Sequence, residues 1–194
     1  ENGLVDLTAP VINIDPIGET NDTTPTISGN VSGVTVGSEI TVVITAADGA
    51  IQTVIAIVAD DGSWTIDVPV ALVEGEFTVT ATVLDAAGNE AQASTTGIID
   101  VTAPIINITP IDDTQDTTPT ITGNVVGVVE GSVVTVVVTD INGQVQTLTA
   151  LTDANGNWTL DVPSELAEGP FEVTATVSDL AGNQAQDSAT GVID

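Results

Sequence analysis

Residues 77–83, Phe-Thr-Val-Thr-Ala-Thr-Val, alternate an apolar with a polar side chain at every step. A period of two puts Phe77, Val79, Ala81 and Val83 on one face of an extended chain and Thr78, Thr80 and Thr82 on the other, the pattern of a β-strand with one buried face. The alternation continues on either side. Ile40, Val42 and Ile44 alternate with Thr41 and Thr45, and Trp64, Ile66 and Val68 alternate with Thr65 and Asp67, which makes Trp64 a core anchor. Short Val/Ile/Thr runs are punctuated by Gly, Asp and Asn turn signals, and no stretch has helical periodicity. Strands are expected near residues 10–15, 24–30, 38–46, 51–58, 63–69, 77–85 and 90–99.

A second copy follows the first. Residues 6–99 align with 100–193 without a gap: Asp6-x-Thr8-Ala9-Pro10 recurs as Asp100-x-Thr102-Ala103-Pro104, Trp64 as Trp158, and Asp85-x-x-Gly88-Asn89 as Asp179-x-x-Gly182-Asn183. Two domains of one kind are therefore expected, residues 1–99 and 100–194, each an all-β immunoglobulin-like sandwich of about seven strands, arranged end to end. The connection Ile98-Ile99-Asp100-Val101-Thr102-Ala103-Pro104 has no Gly/Ser hinge. Asp194 falls where Asp6 and Asp100 fall, and the chain begins at Glu1 with no signal peptide and no long apolar run, so it reads as a segment of a longer protein.

Composition narrows the function. The chain has 28 Asp and Glu residues, no Lys, Arg or His, and a formal charge of −28. It cannot offset its own repulsion with salt bridges, so it must tolerate that repulsion or recruit cations. Its 42% hydrophobic content supplies enough burial to fold. Phosphate recognition draws on Lys and Arg, so nucleic acid is not an expected partner. Contact with an anionic membrane surface is disfavoured for the same reason. Without Cys there are neither disulfides nor thiolate-bound zinc, and hard oxygen ligands are the available metal donors. No His, Cys, Lys, Arg or Tyr is present to act as base, nucleophile or oxyanion donor. A carboxylate pair could in principle hydrolyse a glycoside, but one Trp and one Phe per repeat, both expected to be buried, leave no platform for a sugar. A non-enzyme is expected.

In such a sandwich the incoming linker and the loops after strands two, four and six share one pole, and the remaining loops share the other. Asp6, the Asp60-Asp61-Gly62 turn and the Asp85–Asn89 loop thus converge, and their carboxylates would repel one another. Calcium, which takes six to eight oxygens, would reverse that cost, with Asp6, Asp85 and Asn89 as ligands. The alternative for Asp85-x-x-Gly88-Asn89 is a plain turn; for Asp6 and Asp100 it is a solvated linker charge. Asp22 and Asp116, each before Thr-Thr-Pro-Thr, lie at the exit pole. Asp22 either faces Asp100 and Asp179 across a bridging ion or only makes an Asx-turn. Asp48-Gly49 and Asp61-Gly62 become Asn142-Gly143 and Asn155-Gly156, an exchange suited to type I′ hairpins. Asp67 and Asp161 lie on an outward strand face as solvated charges. Asn-x-Ser/Thr sequons at Asn21, Asn30, Asn107 and Asn157 are expected by chance in so Asn- and Thr-rich a chain.

Asp-x-Thr-Ala-Pro at the start, Thr-Pro-Thr-Ile-x-Gly, Gly-x-Trp-Thr-hydrophobic-Asp-Val-Pro and Asp-x-Ala-Gly-Asn near the end resemble the bacterial immunoglobulin-like repeats of giant adhesins of the repeats-in-toxin type, over essentially the whole chain. The resemblance implies an extracellular extender on a bacterial surface, monomeric, partnered by neighbouring repeats and stiffened by Ca2+ at domain junctions. It places the junction ligands at Asp6, Asp85 and Asn89 and again at Asp100, Asp179 and Asn183. The alternatives are a glycan- or ice-binding module, marked by a flat threonine array without acidic neighbours, and a homotypic cell-adhesion module.

Overall fold

The computed structural model describes residues 5–194, and every regular element among them is a β-strand. The chain divides into two compact units, the first ending at Val101 and the second beginning at Thr102. The first holds β1 (Val11–Ile14), β2 (Glu19–Thr20), β3 (Thr26–Ser32), β4 (Glu39–Thr45), β5 (Ile51–Ile57), β6 (Ser63–Asp67), β7 (Gly75–Leu84) and β8 (Glu90–Ile99). The second holds β9 (Ile105–Ile108), β10 (Thr120–Val126), β11 (Val133–Thr139), β12 (Val145–Leu151), β13 (Asn157–Asp161), β14 (Gly169–Ser178) and β15 (Gln184–Ile193).

In each unit a three-stranded sheet faces a larger one. The orders are β1-β3-β6 against β2-β8-β7-β4-β5, and β13-β10-β9 against β12-β11-β14-β15. All pairs are antiparallel except β2, which runs parallel to β8. The alternation read from the sequence becomes the two faces of each strand. Ile40, Val42 and Ile44, together with Phe77, Val79, Ala81 and Val83, are buried in the first core, and Val134, Val136, Val138, Phe171, Val173 and Ala175 are buried in the second. Aligned sheets pack by interdigitating such inner faces.

Trp64 and Trp158 are buried as expected, and each indole lies against a glycine on the neighbouring strand. A Cβ on Gly29 would overlap the Asn13 carbonyl oxygen and come within 2.7 Å of Trp64 Cζ2. Gly29 leaves the space that the indole fills. Both indole nitrogens are buried without a hydrogen-bond partner, so the rings act as apolar plates in both cores.

Two features were not visible in the sequence. The two-residue β2 is too short to show a period, yet it brings Glu19 and Thr20 beside Ile98 and Ile99; in the second unit only the bridge Thr114–Ile193 remains of it. The Gln52 amide donates to the Val70 carbonyl and accepts from the Val70 N–H, and Gln146 does the same with Ser164. A primary amide can imitate a backbone edge, so each glutamine fastens the strand β5 or β12 to the loop after β6 or β13.

Candidate polar sites at the poles of the sandwiches

Six loops close on one hairpin pattern. In residues 46–50, 59–63 and 85–89, and in 140–144, 153–157 and 179–183, the first residue's N–H bonds to the fifth residue's carbonyl, and the fourth residue's N–H returns to the first residue's carbonyl. The fourth residue is always glycine, with φ between 79° and 92°. No non-glycine residue among those described has positive φ, so the type I′ geometry expected at Asp48-Gly49, Asp61-Gly62, Asn142-Gly143 and Asn155-Gly156 is corrected. Type I′ would need positive φ at two successive positions, whereas these loops make a type I turn followed by a left-handed glycine, the G1-bulge hairpin.

A carboxylate ties each loop. Asp85 Oδ1 accepts the N–H groups of Ala87 (2.9 Å) and Asn89 (2.9 Å), and its Oδ2 accepts the Asn89 side-chain amide (2.8 Å). That side-chain amide above all, and then the backbone amides of Asn89, Ala87 and Gly88, hold the Asp85 carboxyl below the ordinary aspartate range. Asp179 and Asn183 repeat the arrangement, and so do Asp153 and Asn157, where the Asn157 backbone amide is the main cause of a lowered carboxyl pKa. Asp61 is lowered chiefly by the Ser63 hydroxyl at 2.6 Å.

The expected junction residues of the first unit do come together. Asn89 Nδ2 donates to the carbonyl of Asp6 at 3.2 Å and lies 3.4 Å from that of Thr8, besides its bond to Asp85. The Asp6 carboxylate itself turns back to accept the Thr8 N–H at 3.0 Å, so it is the main chain of Asp6 that meets the loop. At the other pole, the Thr20 hydroxyl accepts the N–H of Asp22 (3.1 Å) and the Thr20 carbonyl accepts that of Asp100 (3.0 Å). The second unit repeats this with Thr114, Asp116 and Asp194. Asp22 Oδ1 accepts the N–H and hydroxyl of Thr24, and Asp116 Oδ1 those of Thr118, which is the Asx-turn alternative. Asp67 and Asp161 take the hydroxyls of Thr26 and Thr120 on the adjoining strands.

Among the described residues no three carboxylates cluster. The donor set around Asn89 nevertheless suits a hard cation. Three oxygens surround an amide nitrogen that has only two hydrogens to give. A turn of the Asn89 side chain would add its own Oδ1 to the Asp85 carboxylate and the carbonyls of Asp6 and Thr8, giving an all-oxygen set of the kind calcium takes.

Tandem immunoglobulin-like β-sandwiches with aspartate-tied hairpins at their poles define the protein as a modular repeat chain. It belongs to the bacterial Ig-like domain family, whose model matches residues 15–101 and 109–194. Among solved structures it is similar to a Ca2+-stabilized adhesin that helps an Antarctic bacterium reach out and bind ice, at 26% identity and a TM-score of 0.51, covering 96% of this chain and 49% of that one. It is also similar to the tetra-tandem repeat in the extending region of a large adhesion protein, at 29% identity and a TM-score of 0.47, covering 96% of this chain and 50% of that one. The chain thus spans about half the length of these two structures. No protein of curated function matches it.

Proposed function

We propose that the chain is a non-catalytic extender of a bacterial surface adhesin, stiffened by Ca2+ at its domain junctions and serving to project a distal binding domain outward. The observation that carries this reading is the convergence on Asn89 of the Asp85 carboxylate with the carbonyls of Asp6 and Thr8. Here the entering chain and a hairpin of the domain it enters present oxygens to one point. The likeness to a Ca2+-stabilized adhesin supports the same reading. In the second repeat Asp100, Asp179 and Asn183 would take the corresponding places. Asp22 and Asp116, tethered to the same threonines as Asp100 and Asp194, would supply further oxygens from the preceding domain.

Calcium, when bound, supplies charge compensation and a multidentate tie; the chain's own part is to hold the oxygens in place. The hairpin hydrogen bonds of Asp85 fix its carboxylate before any ion arrives, so little further ordering is needed on binding. Calcium sites in extracellular modules bind at roughly 10⁻⁴–10⁻³ M, so millimolar calcium, at about one to ten times the dissociation constant, would stabilise the folded state by about 0.4–1.4 kcal/mol.

The test is thermal unfolding together with small-angle X-ray scattering of this chain in EDTA and again in millimolar calcium. A higher melting temperature and a stiffer, extended scattering profile in calcium are expected. If calcium changes neither, the ligand assignments are wrong and a metal-independent binding module becomes the better reading.

A further inference from the structure

Almost every sheet edge in the protein is blunted against the addition of another strand. β1 and β9 are four-residue strands bounded by Pro10 and Pro16 and by Pro104 and Pro110. β6 and β13 have five residues each and carry Asp67 and Asp161. β8 carries Glu90 and is paired by β2 at Ile98 and Ile99. β15 is flanked by the Thr114 bridge, and its Asp187 takes the Ile108 N–H at 2.7 Å. Short edges, proline, charge and cover are the usual means by which native sheets resist edge-to-edge association.

β5 and β12 are seven residues long and carry neither proline nor charge, and each is met by a loop at one glutamine, Gln52 at Val70 and Gln146 at Ser164. Ile-Gln-Thr-Val-Ile-Ala-Ile and Val-Gln-Thr-Leu-Thr-Ala-Leu contain no charge, proline or glycine, although the chain carries −28 overall. Each stands at the end of its sheet and pairs inward with β4 or β11 in unbroken register, without a bulge. Their outward side chains are uncharged, threonines at Thr53, Thr147 and Thr149 and otherwise apolar groups open to solvent: Ile51 is 67% exposed, Ile55 48%, Ile57 55%, Val145 58% and Leu151 64%.

We infer that β5 and β12 are pairing sites for a second copy of this chain, joined edge to edge and antiparallel. Both strands are self-complementary. A two-fold axis at Val54 pairs Ile51 with the partner's Ile57 and Thr53 with the partner's Ile55. An axis at Leu148 pairs Val145 with the partner's Leu151 and Thr147 with the partner's Thr149. Cross-strand pairs of β-branched and apolar residues of this kind are the unit of sheet stabilisation.

Charge selects the occupant. A cationic partner would be drawn to the carboxylate-bearing loops at the poles rather than to the neutral edges. Another acidic chain is tolerated only where carboxylates are few, and along the outward row of β4 beside β5, Thr41, Val43 and Thr45 leave Glu39 as the single acid. Charges farther apart than about 8 Å are screened at physiological ionic strength. One strand pair buries less than the roughly 1,200 Å² of a stable complex, so a single contact is weak.

Sedimentation over a concentration series in EDTA and 1 M NaCl, where the Debye length is about 3 Å, tests this independently of any calcium effect. Wild type is expected to associate as concentration rises. The double variant Ile55→Lys/Thr149→Lys is expected to weaken association by about tenfold or more, while the charge-matched Thr80→Lys/Thr174→Lys, on the outward face of the inner strands, associates as wild type does. Circular dichroism verifies that the variants, all changed at outward positions, are folded. A wild type that stays monomeric throughout, an edge variant that associates like wild type, or a face variant that fails to associate would each overturn the inference.

Discussion

Gly29→Ala is the sharpest test of how the core is built. The added methyl would overlap the Asn13 carbonyl oxygen and press on Trp64 Cζ2 and Cε2 at 2.7 and 2.8 Å. Neither obstacle can yield cheaply. Asn13 is fixed by its pairing with Asn30, and the Trp64 ring is buried, 2% exposed. Overpacking a tight core costs about 1–3 kcal/mol, and a clash with backbone puts Gly29→Ala at the upper end, about 3 kcal/mol. For a domain of this size that lowers Tm by about 12–24 °C. Gly88→Ala is the control: its Cβ would meet nothing within 4 Å, but its φ of +89° makes alanine pay the left-handed penalty of about 1–2 kcal/mol. Urea unfolding in a Trp158→Phe background, where Trp64 alone reports on the first repeat, measures both. If Gly29→Ala costs less than Gly88→Ala, the indole-over-glycine account of the core is wrong.

Three further outcomes follow from the polar sites. Asn89→Ala should remove the calcium-induced rise in melting temperature of the first repeat while leaving that of the second, as read by calorimetry with and without EDTA. Asp61, Asp85 and Asp153 have folded-state pKa values below the ordinary 3.8, so their stabilising contribution is present above that value and is lost as pH falls through the folded values; unfolding monitored by Trp fluorescence should show a loss of stability below about pH 4, after any gain from relief of charge repulsion at milder acidity. Asp153→Ala should destabilise the second repeat in chemical denaturation, and adding Asn155→Asp should restore part of the loss, because Asp61 already ties the corresponding loop of the first repeat from its third position.

Much of the fold was legible because the deciding signal, alternation of period two, is the physical cause of the buried and exposed faces. The Phe77–Val83 pattern and the Trp64 strand map directly onto core positions. The remaining features carry no such signal. β2 is shorter than one period, and the Gln52 and Gln146 clamps depend on which loop a sheet edge happens to meet. The hairpins were placed correctly but given the wrong turn type, since Asp-Gly and Asn-Gly suit either the centre of a type I′ turn or the end of a type I turn with a left-handed glycine. At the entry pole, sequence pattern brought Asp6 to the Asp85–Asn89 loop but could not tell that its carbonyl, and not its carboxylate, makes the contact.

The hairpins also explain how a chain without a single cationic side chain keeps its aspartates in order. Where the first loop position is Ala46 or Ala59, the third is Asp48 or Asp61; where the first is Asp140 or Asp153, the third is Asn142 or Asn155. One capping carboxylate per loop is retained, its place shifts, and every one accepts backbone N–H groups from its own turn. Amides therefore do locally what lysines and arginines do elsewhere, and the hairpins need no ion to close. A cation has a distinct task only where such a loop also meets oxygens from outside itself. Among the hairpins whose first residue is Asp and fifth is Asn, Asp153–Asn157 closes in the same way as Asp85–Asn89, but its asparagine oxygen is taken by the Asn124 amide of its own sheet. The Asp85–Asn89 loop instead reaches the carbonyls of the entering chain at Asp6 and Thr8. That contrast makes Asp85–Asn89, and not Asp153–Asn157, the loop at which an ion would have a second segment of chain to tie down, so any calcium dependence of the first repeat's stability should be lost with Asn89→Ala.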